Sequence, residues 1–310
     1  MDIYKRLDKL MRTINFKHSI IFFSLCILLS PLNKIEDINL IICLFLILII
    51  GISHGSLDNI KGRKLLKILG FKSEYVFYIS YLIISSLIIL LWIIFPNIVL
   101  SLFLIVACYH FGKEDTVFDI EKKKKFTEFL FFLKGSSVIV APLFFHREKT
   151  NEIFRTLNFD IFENSFFSDS LLTTILFLSF FTLFILSHRK DINCKLLMMT
   201  DFFSIIVINV FLSPILAFTL YFCFLHSVRH SITLIFELDN SLKNGFKKFI
   251  KKAIPLTLLT GCAFIVVIYL LNNLYELNEA IYKVIFIGLA SLTFPHILLE
   301  YLIEKNEKRS

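Results

Sequence analysis

Residues 38–54 read INLIICLFLILIIGISH, and within Ile38–Ile50 the single polar side chain is Asn39. A half-buried strand or a barrel strand alternates apolar with polar residues, and this run does not. An open strand edge also leaves backbone groups unsatisfied in lipid, whereas a helix satisfies its own. Roughly 17 residues is the practical minimum for a helix crossing the hydrocarbon core. The run is therefore a membrane-spanning helix that ends on a histidine, His54.

Nine further runs have the same character. The ten fall at roughly 17–33, 37–54, 74–95, 97–112, 126–146, 168–187, 195–212, 214–236, 251–272 and 280–302. They predict an all-α, polytopic integral membrane bundle forming a single domain over residues 1–310. Composition agrees: 56% of the 310 residues are hydrophobic, 19% are charged, and mean hydropathy is +0.76. A water-surrounded globule averages about 45–50% apolar and 25% charged. Disorder, collagen-like repeats and a disulfide-stapled secreted fold are excluded. The six cysteines are scattered without a C-x-x-C pair and read as small buried apolar residues.

The gaps between runs alternate in charge. Basic residues precede the first run (Lys5, Arg6, Lys9, Arg12) and follow the second (Lys61, Arg63, Lys64, Lys67, Lys72). They recur after the fourth (Lys113, Lys122 to Lys125), the sixth (Arg189, Lys190), the eighth (Lys243, Lys247, Lys248, Lys251, Lys252) and in the tail (Lys305, Lys308, Arg309). The intervening gaps are poor in them, apart from 147–167, where acidic residues offset Arg147, Lys149 and Arg155. Positive loops stay cytoplasmic, so both termini are predicted cytoplasmic, in a cell (inner) membrane. The net charge of +8 is explained by these loops, and no nucleic-acid partner is expected. No cleavable signal peptide is expected, because the first run follows a basic amphipathic start and lacks a small-residue cleavage site. Segment 147–167, with Phe159, Phe162, Phe166 and Phe167, is expected to lie on the outer surface as a loop or short helix.

An ionisable residue inside a span is a functional candidate. On this topology His54, His110, His226, His230 and His296 fall at similar depth toward the cytoplasmic side, while His146 belongs to the opposite side and His18 and His188 to the surface. His226 and His230 stand four residues apart, which on a helix puts both rings on one face, about 6 Å apart. Such a pair binds one metal, or else each histidine hydrogen-bonds a neighbouring helix. Neutral imidazole suits Fe, Zn, Cu or Ni. Asp58, Glu114 and Asp115 lie just past His54 and His110 and are either acceptors for a ligand histidine's second N–H or helix-end charges in water. Gly55 and Gly112 either let backbones approach or end helices. Arg229 either snorkels to the inner surface or pairs with Asp58 or Glu300.

Together these segments resemble the bacteriorhodopsin-related Brp/Blh family of integral-membrane β-carotene 15,15′-dioxygenases. The matching boxes are His54-Gly-Ser-Leu-Asp58-Asn59, Tyr109-His110-Phe111-Gly112 with Glu114 and Asp115, His226-Ser-Val-Arg229-His230-Ser231, and Pro295-His296-Ile-Leu-Leu-Glu300, with Ala141-Pro142-Leu-Phe-Phe-His146 between. The resemblance implies an Fe(2+) enzyme that splits the central double bond of β-carotene with O2 to give two retinals. It implies iron ligands at His54, His110, His226 and His230, with Asp58, Tyr109 and His296 supporting them or lining the substrate cleft. Its implied partners are β-carotene, O2 and membrane lipid, with a retinal-binding rhodopsin as recipient of the product. Asn59 departs from the family's box, which has a histidine there, and this bears on activity or substrate choice. Three other readings stand beside it: a di-iron desaturase or hydroxylase, which needs denser histidine boxes; a metal or solute transporter; and a non-catalytic carotenoid or retinal binder assisting rhodopsin assembly.

Overall fold

The computed structural model describes residues 2–31, 40–71, 73–116, 125–164 and 166–307, without the side chains of 2–9, 54 and 307. Lys34, Lys72, Lys122 to Lys124, Lys308 and Arg309, which set part of the charge alternation, lie outside the described residues. Among those described, ten helices are long and apolar enough to cross a membrane, and no strand is present. We number them as spans: 1 (Leu10–Leu29), 2 (Leu40–Ile68), 3 (Tyr75–Ile94), 4 (Pro96–Glu114), 5 (Lys125–Phe145), 6 (Asp169–Ser187), 7 (Ile192–Phe211), 8 (Pro214–Leu238), 9 (Leu242–Leu271) and 10 (Leu277–Asn306).

Span 8 is the hub, with 72% of its apolar stretch buried, whereas spans 3 and 9 are 6% buried and form the periphery. Around the hub, span 4 packs on span 5, span 5 on span 6, span 1 on span 7, and span 10 on span 3. The contact between spans 4 and 5 depends on two glycines. A Cβ at Gly112 would strike the Phe131 carbonyl and the Gly135 nitrogen, and one at Gly135 would strike the Cys108 carbonyl. Backbone fills those positions and cannot swing aside as a side-chain tip can. Gly135→Ala is expected to cost about 1–3 kcal/mol by overpacking and to displace His110, two residues from Gly112. A lowered thermal midpoint in detergent would register it.

Three departures from the sequence-based expectation have physical causes. The second run does not stop at His54. It passes from α-helix into a π-helical turn (Ile47–Gly51) and a 3-10 segment (Ile52–Leu57), then resumes as α-helix over Asp58–Ile68. At Gly51 the ring of Phe222 from span 8 occupies the place a Cβ would take, so the hub approaches where the helix changes its winding. Span 9 starts at Leu242, earlier than expected, because its basic stretch continues the helix beyond the apolar part. Segment 147–167 is no simple surface element. Its helix Arg147–Thr156 and the following turn bury Phe154 and Phe159 in the main core, although Phe166 stays 70% exposed. Lys283 of span 10 holds this cap by donating to the Thr156 carbonyl and pairing with Glu279 at 3.2 Å. Five cysteines are buried as expected, but Cys262 is exposed, on the sparsely covered span 9.

Candidate metal centre

Span 8 supplies the first two rings. Its α-helix gives way to a π-helical turn over Tyr221–Ser227 and resumes at Val228. Such a turn widens the helix and commonly marks a functional site. It falls between the start of the span and His230, and His226 is part of it. Each ring has its own carboxylate: His226 Nδ1 meets Asp115 at 3.1 Å, and His230 Nδ1 meets Glu114 at 3.2 Å. Both acids sit at the end of span 4, a few residues beyond His110.

The rings form a connected group. The His110 ring lies 5.2 Å from that of His226 and 5.5 Å from that of His296, and His230 lies 5.9 Å from His296. His296, on span 10, thus joins His230 to the other rings, and its Nδ1 contacts both oxygens of Asp58 at 2.8 and 2.9 Å. Asp58 also accepts from the Tyr81 hydroxyl at 3.1 Å. The ligand atoms of His110, His296 and Glu300 lie within 4.8 Å of one another, as do those of Glu114, His230 and Glu300. Glu300 is in turn paired with Lys61 at 2.9 Å.

The acids are not helix-end charges in water. Asp115 and Asp58 are 6% and 4% exposed. Burial alone would push the Asp115 carboxyl up. The His226 ring, Arg229 and Lys134 around it outweigh that and hold it well below the usual carboxylate range. The Tyr221 hydroxyl donates to its other oxygen at 2.6 Å. Carboxylates so placed fix which imidazole nitrogen carries the proton and how the ring is turned. With Nδ1 engaged in this way, Nε2 is the nitrogen a ligand role would use.

Arg229 neither snorkels nor pairs with Asp58 or Glu300. It is 1% exposed and bidentate to Asp201 at 2.6 and 2.9 Å, with Ser19 at 2.8 Å. The charge is buried on the face of span 8 turned to spans 1 and 7, where a carboxylate already waits. Tyr109 turns to span 5, donates to Glu128 and does not line the cavity described below. His18 Nε2 contacts the Phe224 carbonyl of span 8 at 2.7 Å. His188 lies just past the end of span 6 and His146 at the other end of span 5, both apart from the group. The His54 side chain lies outside the described residues. Sequence reasoning missed Asp201, Tyr81 and Tyr221 and gave Glu300 only a pairing role. Asp201 had a signal, being an acid within an apolar run.

A cavity of about 340 Å³ opens beside the histidines. His110 and His296 stand in its wall with Phe103, Phe111, Phe218 and Phe222, and its rim reaches Leu82 of span 3 and Leu259 of span 9. Those two leucines are 66% and 67% exposed, so the cavity runs from the lipid-facing surface to the rings. Spans 3 and 9 have the least protein around them, and the opening lies between them.

The donor set suits a divalent transition ion. Imidazoles and carboxylates are ligands that iron, zinc and nickel share, and no thiol is in the group. The group borders an aromatic-walled slot that opens on the lipid-facing surface.

The family described as beta-carotene 15,15'-dioxygenase matches residues 45–304. The beta-carotene 15,15'-dioxygenase of uncultured marine bacterium 66A03 is 26% identical over 282 residues, covering 86% of this chain and 94% of that protein. No solved structure matches the chain.

Proposed function

The chain belongs to the beta-carotene 15,15'-dioxygenase family, and from that premise we propose that it is a membrane-embedded, iron-dependent dioxygenase cleaving the central double bond of β-carotene with O2 to give two retinals. The observation that carries this reading is the position of His110. It borders the apolar cavity, and its ring lies 5.2 Å from that of His226 and 5.5 Å from that of His296.

In this reading His54, His110, His226 and His230 hold Fe(2+), and His296 and Glu300 lie close enough to share in holding it or to position it. Iron when bound supplies the redox chemistry with O2 that no side chain of the chain provides. The chain's own work is positioning. Asp115 and Glu114 hold the Nδ1 protons of His226 and His230 and aim the opposite nitrogens. Asp58 and Tyr81 do the same for His296. The Phe-lined cavity excludes water and holds the polyene so that one bond faces the centre, which is how orientation alone lowers a barrier. The opening between spans 3 and 9 takes a hydrocarbon directly from membrane lipid and returns the product there, within reach of a retinal-binding rhodopsin. We place the centre nearer the cytoplasmic side of the inner membrane, with both termini cytoplasmic, because Lys61, Arg63, Lys64 and Lys67 continue from that end of span 2.

The test is co-expression in a β-carotene-producing cell. Loss of orange pigment with retinal appearing is expected, and unchanged carotene despite full-length protein in the membrane would overturn the reading. Asp115→Asn keeps the shape of the side chain but weakens its hold on His226. Roughly 10–100-fold weaker iron retention is expected, measured by elemental analysis after mild chelation.

A further inference from the structure

Two polar atoms stand out in the wall of the apolar cavity. Asn59 Oδ1 and Thr257 Oγ1 are both buried, and among the described residues neither has a hydrogen-bond partner. Both residues line the cavity, Asn59 from span 2 and Thr257 from span 9. Other hydroxyls of the same wall are used. Tyr81 donates to Asp58 and to the Leu292 carbonyl, each at 3.1 Å, and Ser85 donates to the Ser291 carbonyl at 2.8 Å. Buried polar groups are paired in the large majority of cases, and leaving one unpaired against an apolar surface is costly. A purely hydrocarbon occupant cannot relieve that cost at either atom.

The Asn59 amide is held at one end only, its Nδ2 donating to the Tyr78 hydroxyl at 3.4 Å. A side-chain amide can be turned over without changing its shape, and a hydroxyl both donates and accepts. In one orientation Tyr78 anchors the nitrogen and the amide offers an acceptor. In the other Tyr78 donates to the oxygen and the amide offers N–H donors. Both orientations present a hydrogen-bonding end beside Asp58, which holds His296. Thr257 adds a hydroxyl from the facing span.

We infer that this cavity holds a polyene carrying an oxygen, which Asn59, anchored by Tyr78, and Thr257 hydrogen-bond. This rests on the proposed function and deepens it, making the cavity a site for the oxygenated twenty-carbon product as well as a slot for the hydrocarbon substrate. The oxygen is that of an aldehyde, as in retinal, if the amide donates. It is that of an alcohol, as in retinol, if the amide accepts.

Direct binding to the full-length protein in detergent tests this without turnover. The probes are all-trans-retinal, all-trans-retinol and the deoxygenated hydrocarbon of the same chain, followed by quenching of protein fluorescence. Wild type is expected to bind one of the oxygenated probes about tenfold more tightly than the hydrocarbon, the order expected when a buried polar group is left unpaired. Tighter retinal identifies the amide as donor and tighter retinol as acceptor. Asn59→Leu and, separately, the shape-preserving Thr257→Val are each expected to shrink that ratio, and the two together to bring it to about one. Equal binding of all three probes to wild type would overturn the inference, as would an unchanged ratio in the double variant. Failure of carotene cleavage in the co-expression test would overturn the enzymatic reading and leave these binding ratios readable.

Discussion

Replacing His110 by alanine is expected to abolish retinal formation, with turnover falling by at least about a hundredfold and bound iron lost in parallel. Loss of a group that only orients a ligand already costs roughly 10–100-fold, so a ring at the centre of the set costs no less. His110 occupies that centre on geometry: two other rings lie 5.2 and 5.5 Å away, and the cavity lies against it. It is 5% exposed, so water entering the truncated site replaces the ring only partly. Elemental analysis of purified protein and pigment analysis of cells read the two effects separately. His188→Ala, just past the end of span 6, should leave both unchanged. Full retinal formation in His110→Ala would refute the ligand assignment. Retained iron with lost turnover would move His110 from ligand to substrate wall. A non-catalytic carotenoid binder predicts neither iron nor its loss.

How far the sequence revealed this arrangement depends on which interactions are local. The ten spans are legible because a run such as Ile38–Ile50 determines its own structure: length and apolarity suffice, whatever packs around it. The common depth of His110, His226, His230 and His296 is legible for a related reason, since depth follows from position along a span and from the sign of the loops. The pairings are not legible. His226 with Asp115, His296 with Asp58 and Arg229 with Asp201 join residues far apart in sequence, and no spacing rule selects among the available acids. The π-helical turn at Tyr221–Ser227 is not legible either, because an i, i+4 rule assumes uniform α-helix and no residue in that run announces a change of winding. Segment 147–167 has the charges of a surface element, and the burial of Phe154 and Phe159 emerges only once span 10 is beside them. Resemblance to a family supplied iron and carotene, which neither periodicity nor charge could have named.

Asp201→Ala is expected to be the most damaging change away from the histidines, because it strands a charge. Arg229 is among the largest fully buried side chains, and Asp201 is 3% exposed. Removing one partner of a buried pair typically costs about 3–5 kcal/mol, since the remaining ion keeps its desolvation penalty and loses its compensation. A fall in thermal midpoint of the order of 10 °C, or loss of extractable protein, should follow. Replacing both partners with apolar residues of similar size, as in Arg229→Met with Asp201→Leu, should recover most of that loss, because no charge is then left uncompensated. If the single change matched the double in stability, the pair would not be the buried, compensated one that the geometry describes. Turnover in the double variant separates stability from positioning. Arg229 lies between His226 and His230 in sequence and fixes span 8 against spans 1 and 7 through Ser19 and Asp201. A double variant that regains its thermal midpoint yet turns over slowly would show that this ion pair sets where the span holds its two rings. Recovery of both would reduce it to a device for burying one charge.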